Sequence, residues 1–264
     1  MRKQKLIILP ILVIIIYLII ICTNIFKGKA ANVEEPIQMK DSTAVLDSIC
    51  EDKLVLLENK FDTILFNPET NCAEWVKWKI TPDRVGKKKV KRSDYPFLPD
   101  DTEFLKDKVT TKDYSYSGYD RGHLCPAADN EHSAQAMKDC MEMTNIIPQT
   151  PELNRGPWKT LEDNCRNIAK RDGTVVYIVA GPVFSDTAEV KWIGDDRKIQ
   201  VPDKCFKVIY IPKTQKAIGW IMENTKTPIS DYQKYRVSVD SVENLTGYDF
   251  FDWLPDSLEC LIEK

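Results

Sequence analysis

Histidine is scarce in this chain of 264 residues: only His123 and His132 are present. Imidazole chemistry near neutral pH therefore has just two places to occur. No Cys-x-x-Cys pair is found among the eight cysteines, which argues against a structural zinc site. No internal repeat is found, which excludes a solenoid or a propeller. A basic excess is lacking too, the formal net charge being -3. Acids are absent from residues 1–30, which hold Arg2, Lys3, Lys5, Lys27 and Lys29. The rest of the chain carries 32 of the 37 basic residues against all 40 acidic ones, a balance of -8. That excludes a general polyanion coat, so any polyanion must be met by a local basic patch.

Charge is also missing from Leu6 to Phe26, a run built mostly of Leu, Ile and Val. At roughly 1.5 Å per residue this run is long enough to span a bilayer as a helix. Three fates remain open: an uncleaved anchor, a signal cleaved after Ala30, or a lipoprotein modified at Cys22. In each case the basic end stays inside and the remainder is exported, membrane-anchored or periplasmic or secreted. Seven cysteines lie beyond the run, and in an oxidising compartment they are expected to form disulfides with one thiol left over. Residues 1–30 thus read as a signal or anchor segment and residues 31–58 as a linker with a short helix over Ala44–Leu57. Residues 59–264 then form one folded domain.

Within that domain, Val76, Trp78 and Ile80 alternate with Lys77 and Lys79 in the stretch Asn71–Thr81, the pattern of a half-buried strand. Asp113–Tyr119 and Met141–Ile147 read as further strands, the second ended by Pro148, and Ser133–Cys140 as a weak helix or loop. Trp158, Leu161, Cys165 and Ile168 fall at helical spacing. The uninterrupted apolar run Val175–Ala180 suits a central strand buried on both faces. Cys205–Ile211 and Ala217–Met222 read as strands, and Val239–Thr246 as a helix stopped by Gly247. The class is α+β. The lysine run ending at Lys91 and Arg92 reads in part as a solvated loop.

The stretch Tyr116–Pro126 encloses His123 between Asp120, Arg121, Gly122 and a second glycine, Gly118. Histidine can accept a proton at neutral pH without special tuning. A lone histidine can equally be structural, and the residues that follow tip the balance. On one helix at about 100° per residue, Asn154 and Glu162 sit roughly 80° apart and Arg166 about 40° further round, sharing a face. Gly156-Pro157 interrupts this helix, so that it either begins at Pro157 or bends there. An amide, a carboxylate, a histidine and arginines together suit phosphodiester hydrolysis. Mg²⁺ takes few protein oxygens, and arginine matches phosphate in a bidentate way. His132, in a polar stretch, reads as a surface residue.

These residues resemble the DNA/RNA non-specific endonuclease family over roughly residues 60–260. Asp120-Arg121-Gly122-His123 is similar to the family's signature. Met143 to Gln149, then Asn154, Trp158, Leu161-Glu162 and Arg166, resemble its second block, and Arg92 with Ser93–Phe97 its upstream arginine segment. The resemblance implies a ββα-metal fold, a mixed or antiparallel central sheet flanked by helices. It implies that His123 is the general base, that Asn154 holds Mg²⁺ directly (Mn²⁺ being able to substitute), and that Glu162 holds the metal's waters. It further implies that Arg92 and Arg166 stabilise the pentacovalent phosphate and that Asn145 supports catalysis. Arg121 and Lys91 would contact substrate, while Asp120 and Gly122 would shape the hairpin.

The expected partners are DNA and RNA, and the membrane through residues 6–26 if these are uncleaved. Oligomeric state is left open. Two readings compete with a metal-dependent endonuclease of low sequence preference. One is a catalytically inactive, membrane-tethered nucleic-acid-binding module on the same fold. The other is a zinc enzyme built on His123, His132 and cysteines.

Overall fold

The computed structural model describes residues 54–102, 105, 108–185 and 189–263. The apolar run Leu6–Phe26, Cys22, Cys50 and most of the helix expected over Ala44–Leu57 lie outside these residues. Among the described residues no helix is long and apolar enough to cross a membrane.

Eleven strands are described: β1 (Val55–Glu58), β2 (Asp62–Asn67), β3 (Cys72–Ile80), β4 (Asp120–His123), β5 (Ile146–Gln149), β6 (Val176–Val183), β7 (Trp192–Ile193), β8 (Ile199–Gln200), β9 (Lys204–Ile211), β10 (Lys216–Glu223) and β11 (Arg236–Val237). Seven of them build one antiparallel sheet in the order β1-β2-β3-β6-β9-β10-β11. β1 uses Val55–Leu57, so the end of the expected helix is strand instead. Alternation explains the layering. In β9, Cys205, Ile209 and Ile211 enter the core on one face of the sheet, while Phe206, Val208 and Tyr210 enter a second core on the other. β6 is the fourth of the seven strands and feeds both cores, as its unbroken apolar sequence predicts.

Four helices matter here: α1 (Ala134–Cys140), α2 (Lys159–Asp172), α3 (Val239–Thr246) and α4 (Asp256–Ile262). Trp158 and the α2 residues Leu161, Cys165 and Ile168 are buried on the first core face. Burial of each large apolar side chain in this stripe contributes about 1.5–3 kcal/mol. Gly173 ends α2 in the left-handed conformation at φ 58°, and Gly247 ends α3 at φ 77°. On the opposite face α3 buries Val239 and Val242, and α4 contributes Ile262.

The two strands expected on either side of the histidine fall elsewhere. Thr111–Tyr114 is a 3₁₀ turn, with the Asp113 carboxylate accepting from the Thr110 N–H at 2.7 Å. Tyr116 and Gly118 then take φ of 58° and 82°, which breaks extension, and the strand proper begins at Asp120. Met143–Asn145 is likewise a 3₁₀ turn, and β5 runs through Pro148 instead of stopping before it. Proline is tolerated there because β5 pairs with β4 alone, in a two-stranded sheet.

Disulfides do not appear among the described cysteines. Cys72, Cys125, Cys140, Cys165 and Cys205 are buried free thiols and Cys260 is an exposed one. The buried five behave as small apolar core residues. Cys72 Sγ lies 3.5 Å from the Gln200 carbonyl oxygen and Cys140 Sγ 3.2 Å from that of Met137.

Candidate active site

β4 and β5 pair in antiparallel register, Asp120 against Gln149, Arg121 against Pro148, Gly122 against Ile147 and His123 against Ile146. Gly122 is required by close approach, because a Cβ there would overlap the fully buried Gln149 side chain. The chain leaving His123 is held by Asn145. The Asn145 Oδ1 accepts from the Cys125 N–H at 2.9 Å, and its Nδ2 donates to the carbonyls of Cys125 at 2.9 Å and Cys140 at 2.8 Å. With its amide saturated and its side chain fully buried, Asn145 orients the backbone behind His123. This bond also accounts for Cys125, whose N–H and carbonyl are both pinned by Asn145 and whose thiol is buried.

The crossing segment starts at Thr150, whose hydroxyl accepts from the Leu153 N–H, followed by Pro151 in the first turn. Asn154–Trp158 is a wide, π-type turn containing Pro157, with Gly156 at φ -100° and ψ -116°. The helix therefore bends at Gly156-Pro157, with helical turns on both sides of it. Such widened turns recur at functional positions in helices. Here the turn carries three contacts to β4. Asn154 Nδ2 donates to Asp120 Oδ2 at 2.9 Å, and Arg155 grips the same carboxylate through Nε at 2.8 Å and a terminal nitrogen at 2.6 Å. Trp158 Nε1 donates to the His123 carbonyl at 3.3 Å. Burial pulls the Asp120 carboxyl upward, but the hydrogen bonds from Arg155 and Asn154 outweigh it and hold the group below its ordinary value.

Three charge-bearing side chains gather on Phe97. The His123 ring centroid lies 5.3 Å from that of Phe97, and the guanidinium carbons of Arg92 and Arg121 each lie 4.8 Å from it. Arg92 also donates to the Tyr95 carbonyl at 2.9 Å. Among the described residues neither arginine has a carboxylate partner. Burial first, then the charges of Arg92 and Arg121, push the His123 pKa down to about 3. The imidazole is therefore neutral across the physiological range. Its Nε2 lies 3.4 Å from Met141 Sδ, and Nδ1 makes no hydrogen bond among the described residues. Lys91, the residue before Arg92, is exposed.

Glu162 and Arg166 project from α2 one turn apart. Arg166 is tied to Asp129 at 2.7 Å and Asp163 at 2.6 Å, with 15% of its side chain exposed. Glu162 makes no hydrogen bond among the described residues. Burial raises its pKa to about 7 against the opposing pull of Lys207 and Arg166. His132 departs from the surface position expected of it. It is half-buried against Phe61, with ring centroids 5.1 Å apart, and Nδ1 lies 3.2 Å from the Asp129 carbonyl oxygen. Several contributing residues carry no motif in the sequence: Asp129, Arg155 and Lys207. Each is an ordinary core or surface residue type whose role comes from tertiary contact alone.

The chain offers oxygen donors suited to a hard divalent cation. Asp120 ties up the amide nitrogen of Asn154, so that Oδ1 makes no hydrogen bond among the described residues. Glu162 is an unbonded carboxylate on the same helical segment. One amide oxygen and one carboxylate fit an ion that retains most of its water shell.

The profile of the DNA/RNA non-specific endonuclease family matches residues 51–257. A curated relative described as "Nuclease" from Nostoc sp. is 32% identical over 237 residues, covering 84% of this chain and 82% of its own length. "Endonuclease G, mitochondrial" from Homo sapiens is 31% identical over 201 residues, covering 71% of this chain and 66% of its own. Among solved structures, a chain of the EndoG/EndoGI complex superposes with a TM-score of 0.66 at 25% identity, covering 77% of this chain and 88% of that one. With a ββα-metal fold, a histidine on its hairpin and these relatives, the chain belongs to the DNA/RNA non-specific endonuclease family and is a hydrolytic endonuclease.

Proposed function

We propose that the protein hydrolyses phosphodiester bonds of both DNA and RNA with little sequence preference, using His123 as general base and a single Mg²⁺. One observation carries this reading: His123 and two guanidinium groups without carboxylate partners among the described residues share the Phe97 ring. An unprotonated imidazole can take a proton from water through Nδ1, which makes no hydrogen bond among the described residues. Arg92 and Arg121 offer positive charge to the phosphate oxygens beside it, and contacts to phosphate read no sequence. Asn154 through Oδ1, and Glu162 through water, would hold the ion. When bound, it neutralises charge on the phosphate and the departing oxygen. Arg166, anchored by Asp129 and Asp163, stands on the Glu162 side and adds positive charge there. Asn145 positions the histidine backbone without touching substrate.

The test uses the full chain with supercoiled plasmid and, separately, structured RNA. Both should be degraded with Mg²⁺ or Mn²⁺ and preserved with excess chelator. Binding of both polymers without cleavage would instead identify an inactive binding module. We also place the catalytic domain outside the cytoplasm, on the strength of the uncharged run Leu6–Phe26 behind its basic end. Intact-mass measurement on native protein would distinguish anchor, cleaved signal and lipoprotein, and protease accessibility in intact cells would show the side.

A further inference from the structure

A buried, unbonded cation lies beneath the site. Lys207 sits in the middle of β9, opposite Ala180 of β6 and Trp220 of β10. Its neighbours Phe206 and Val208 face the second core, so strand alternation turns Lys207 to the face that carries α2. The residue is 1% exposed and its Nζ has no hydrogen-bond partner among the described residues. Two indoles enclose it instead, with Nζ 4.4 Å from the Trp158 ring centroid and 4.9 Å from that of Trp78. Lysine is almost never fully buried without a partner, and here the indoles supply the direct contacts while the Glu162 carboxylate feels its charge.

Both indoles reach the site through their N–H groups. Trp158 donates to the His123 carbonyl at 3.3 Å, and Trp78 donates to Asp129 at 2.9 Å, the carboxylate that also anchors Arg166. A cation on the face of an indole fixes the ring's position and polarises it, strengthening the edge N–H as a donor.

We propose that Lys207 is a positioning residue of the nuclease, clamping Trp158 and Trp78 so that their N–H groups hold His123 and the Asp129–Arg166 pair in place. It touches neither nucleic acid nor metal. The inference rests on the reading of His123 as the reacting base.

The test compares K207M, which keeps an apolar stem and removes the charge, with K207R, which keeps a cation able to stack on indole. K207M is expected to lower kcat by about 10-fold or more, the usual scale for a residue supporting a catalytic ligand from behind. KM for nucleic acid should stay within about 2-fold, since no substrate contact is lost. K207R should recover part of the lost kcat. In ¹⁵N spectra the Trp158 indole N–H signal should move in K207M and return toward its original position in K207R. Wild-type kcat together with an unmoved Trp158 signal in K207M would overturn the proposal.

W158F gives an independent check should K207M fail to fold, because it keeps a ring and deletes the N–H. It should show the same kcat defect, and full activity in W158F would overturn the proposal as well. The underlying reading fails separately: H123A with undiminished cleavage would remove His123 as base. In that case the indole signal would still report whether Lys207 positions Trp158.

Discussion

Asp120 and Asn154, which lie thirty-four positions apart in sequence, meet through one hydrogen bond, Nδ2 to Oδ2 at 2.9 Å. The bond turns the amide so that its oxygen stays open, and Arg155 fixes the carboxylate from the other side. Asp120 belongs to the signature string of the hairpin, yet its side-chain hydrogen bonds all run to the crossing segment. Asp120→Ala should therefore act on the metal side of the reaction. The expected effect is a loss of about 10–100-fold in cleavage, recovered in part by raising the Mg²⁺ concentration. Plasmid cleavage measured as a function of Mg²⁺ checks this. An unchanged metal requirement would show that Asn154 needs no orienting partner.

The neutral state of His123 has a consequence for stability. Its folded pKa, about 3, lies below the ordinary histidine value of 6.5. Between those limits the unfolded chain binds a proton that the folded chain does not, so stability contributed at this position rises with pH across that window. It is lost progressively as pH falls from 6.5 toward 3. Urea unfolding of wild type and His123→Ala at several pH values isolates this contribution by difference. The wild type should lose stability relative to the variant on going from pH 7 to pH 4, and a difference that does not vary with pH would contradict the neutral imidazole.

The same histidine shows where sequence suffices and where it does not. β3, β6, β9, β10 and α3 are legible because their apolar residues repeat at the period of the element that buries them. The expectations placed on His123, Asn154, Glu162 and Arg166 rest on type, spacing and family pattern. The strand expected over Asp113–Tyr119 is not present, because a local hydrogen bond from Thr110 to Asp113 and two left-handed residues outweigh a plausible extended run. Cysteine number suggests bridges, but number carries no information on where thiols meet, and in the fold five of the six described thiols fill core positions. Asp129, Arg155 and Lys207 escape notice for a further reason. Their significance lies in what they touch, and no local pattern encodes contacts between residues such as Trp78 and Asp129, fifty-one positions apart.

Gly122→Ala should be harmful even though the glycine's backbone is ordinary. The added methyl would meet the buried Gln149 side chain across the β4–β5 pair. Overpacking of this kind costs about 1–3 kcal/mol. Thermal unfolding should show a lower Tm in the variant, and adding Gln149→Ala to it should restore part of the loss by opening space. If the single variant unfolds at the wild-type temperature, the close approach is not a constraint.

Phe97 offers the sharpest separation of packing from electrostatics in the site. Arg92 and Arg121 lie against its ring at 4.8 Å and His123 at 5.3 Å, so an aromatic face collects three groups that would otherwise repel or drift. Each guanidinium–ring contact contributes about 0.5–1 kcal/mol at a half-exposed position. The ring is only half-buried, and replacing it should leave the fold intact. Phe97→Leu keeps bulk and loses the π face, whereas Phe97→Tyr keeps both. Leucine should weaken nucleic-acid binding and lower kcat together, by about 10-fold in kcat/KM if both arginine contacts are released. Tyrosine should stay within about 2-fold of wild type, since its ring presents the same face. Steady-state cleavage kinetics and anisotropy binding with metal withheld would measure the two effects separately. Equal activity in the leucine and tyrosine variants would reduce Phe97 to a spacer and leave the arginines to be held by the substrate itself.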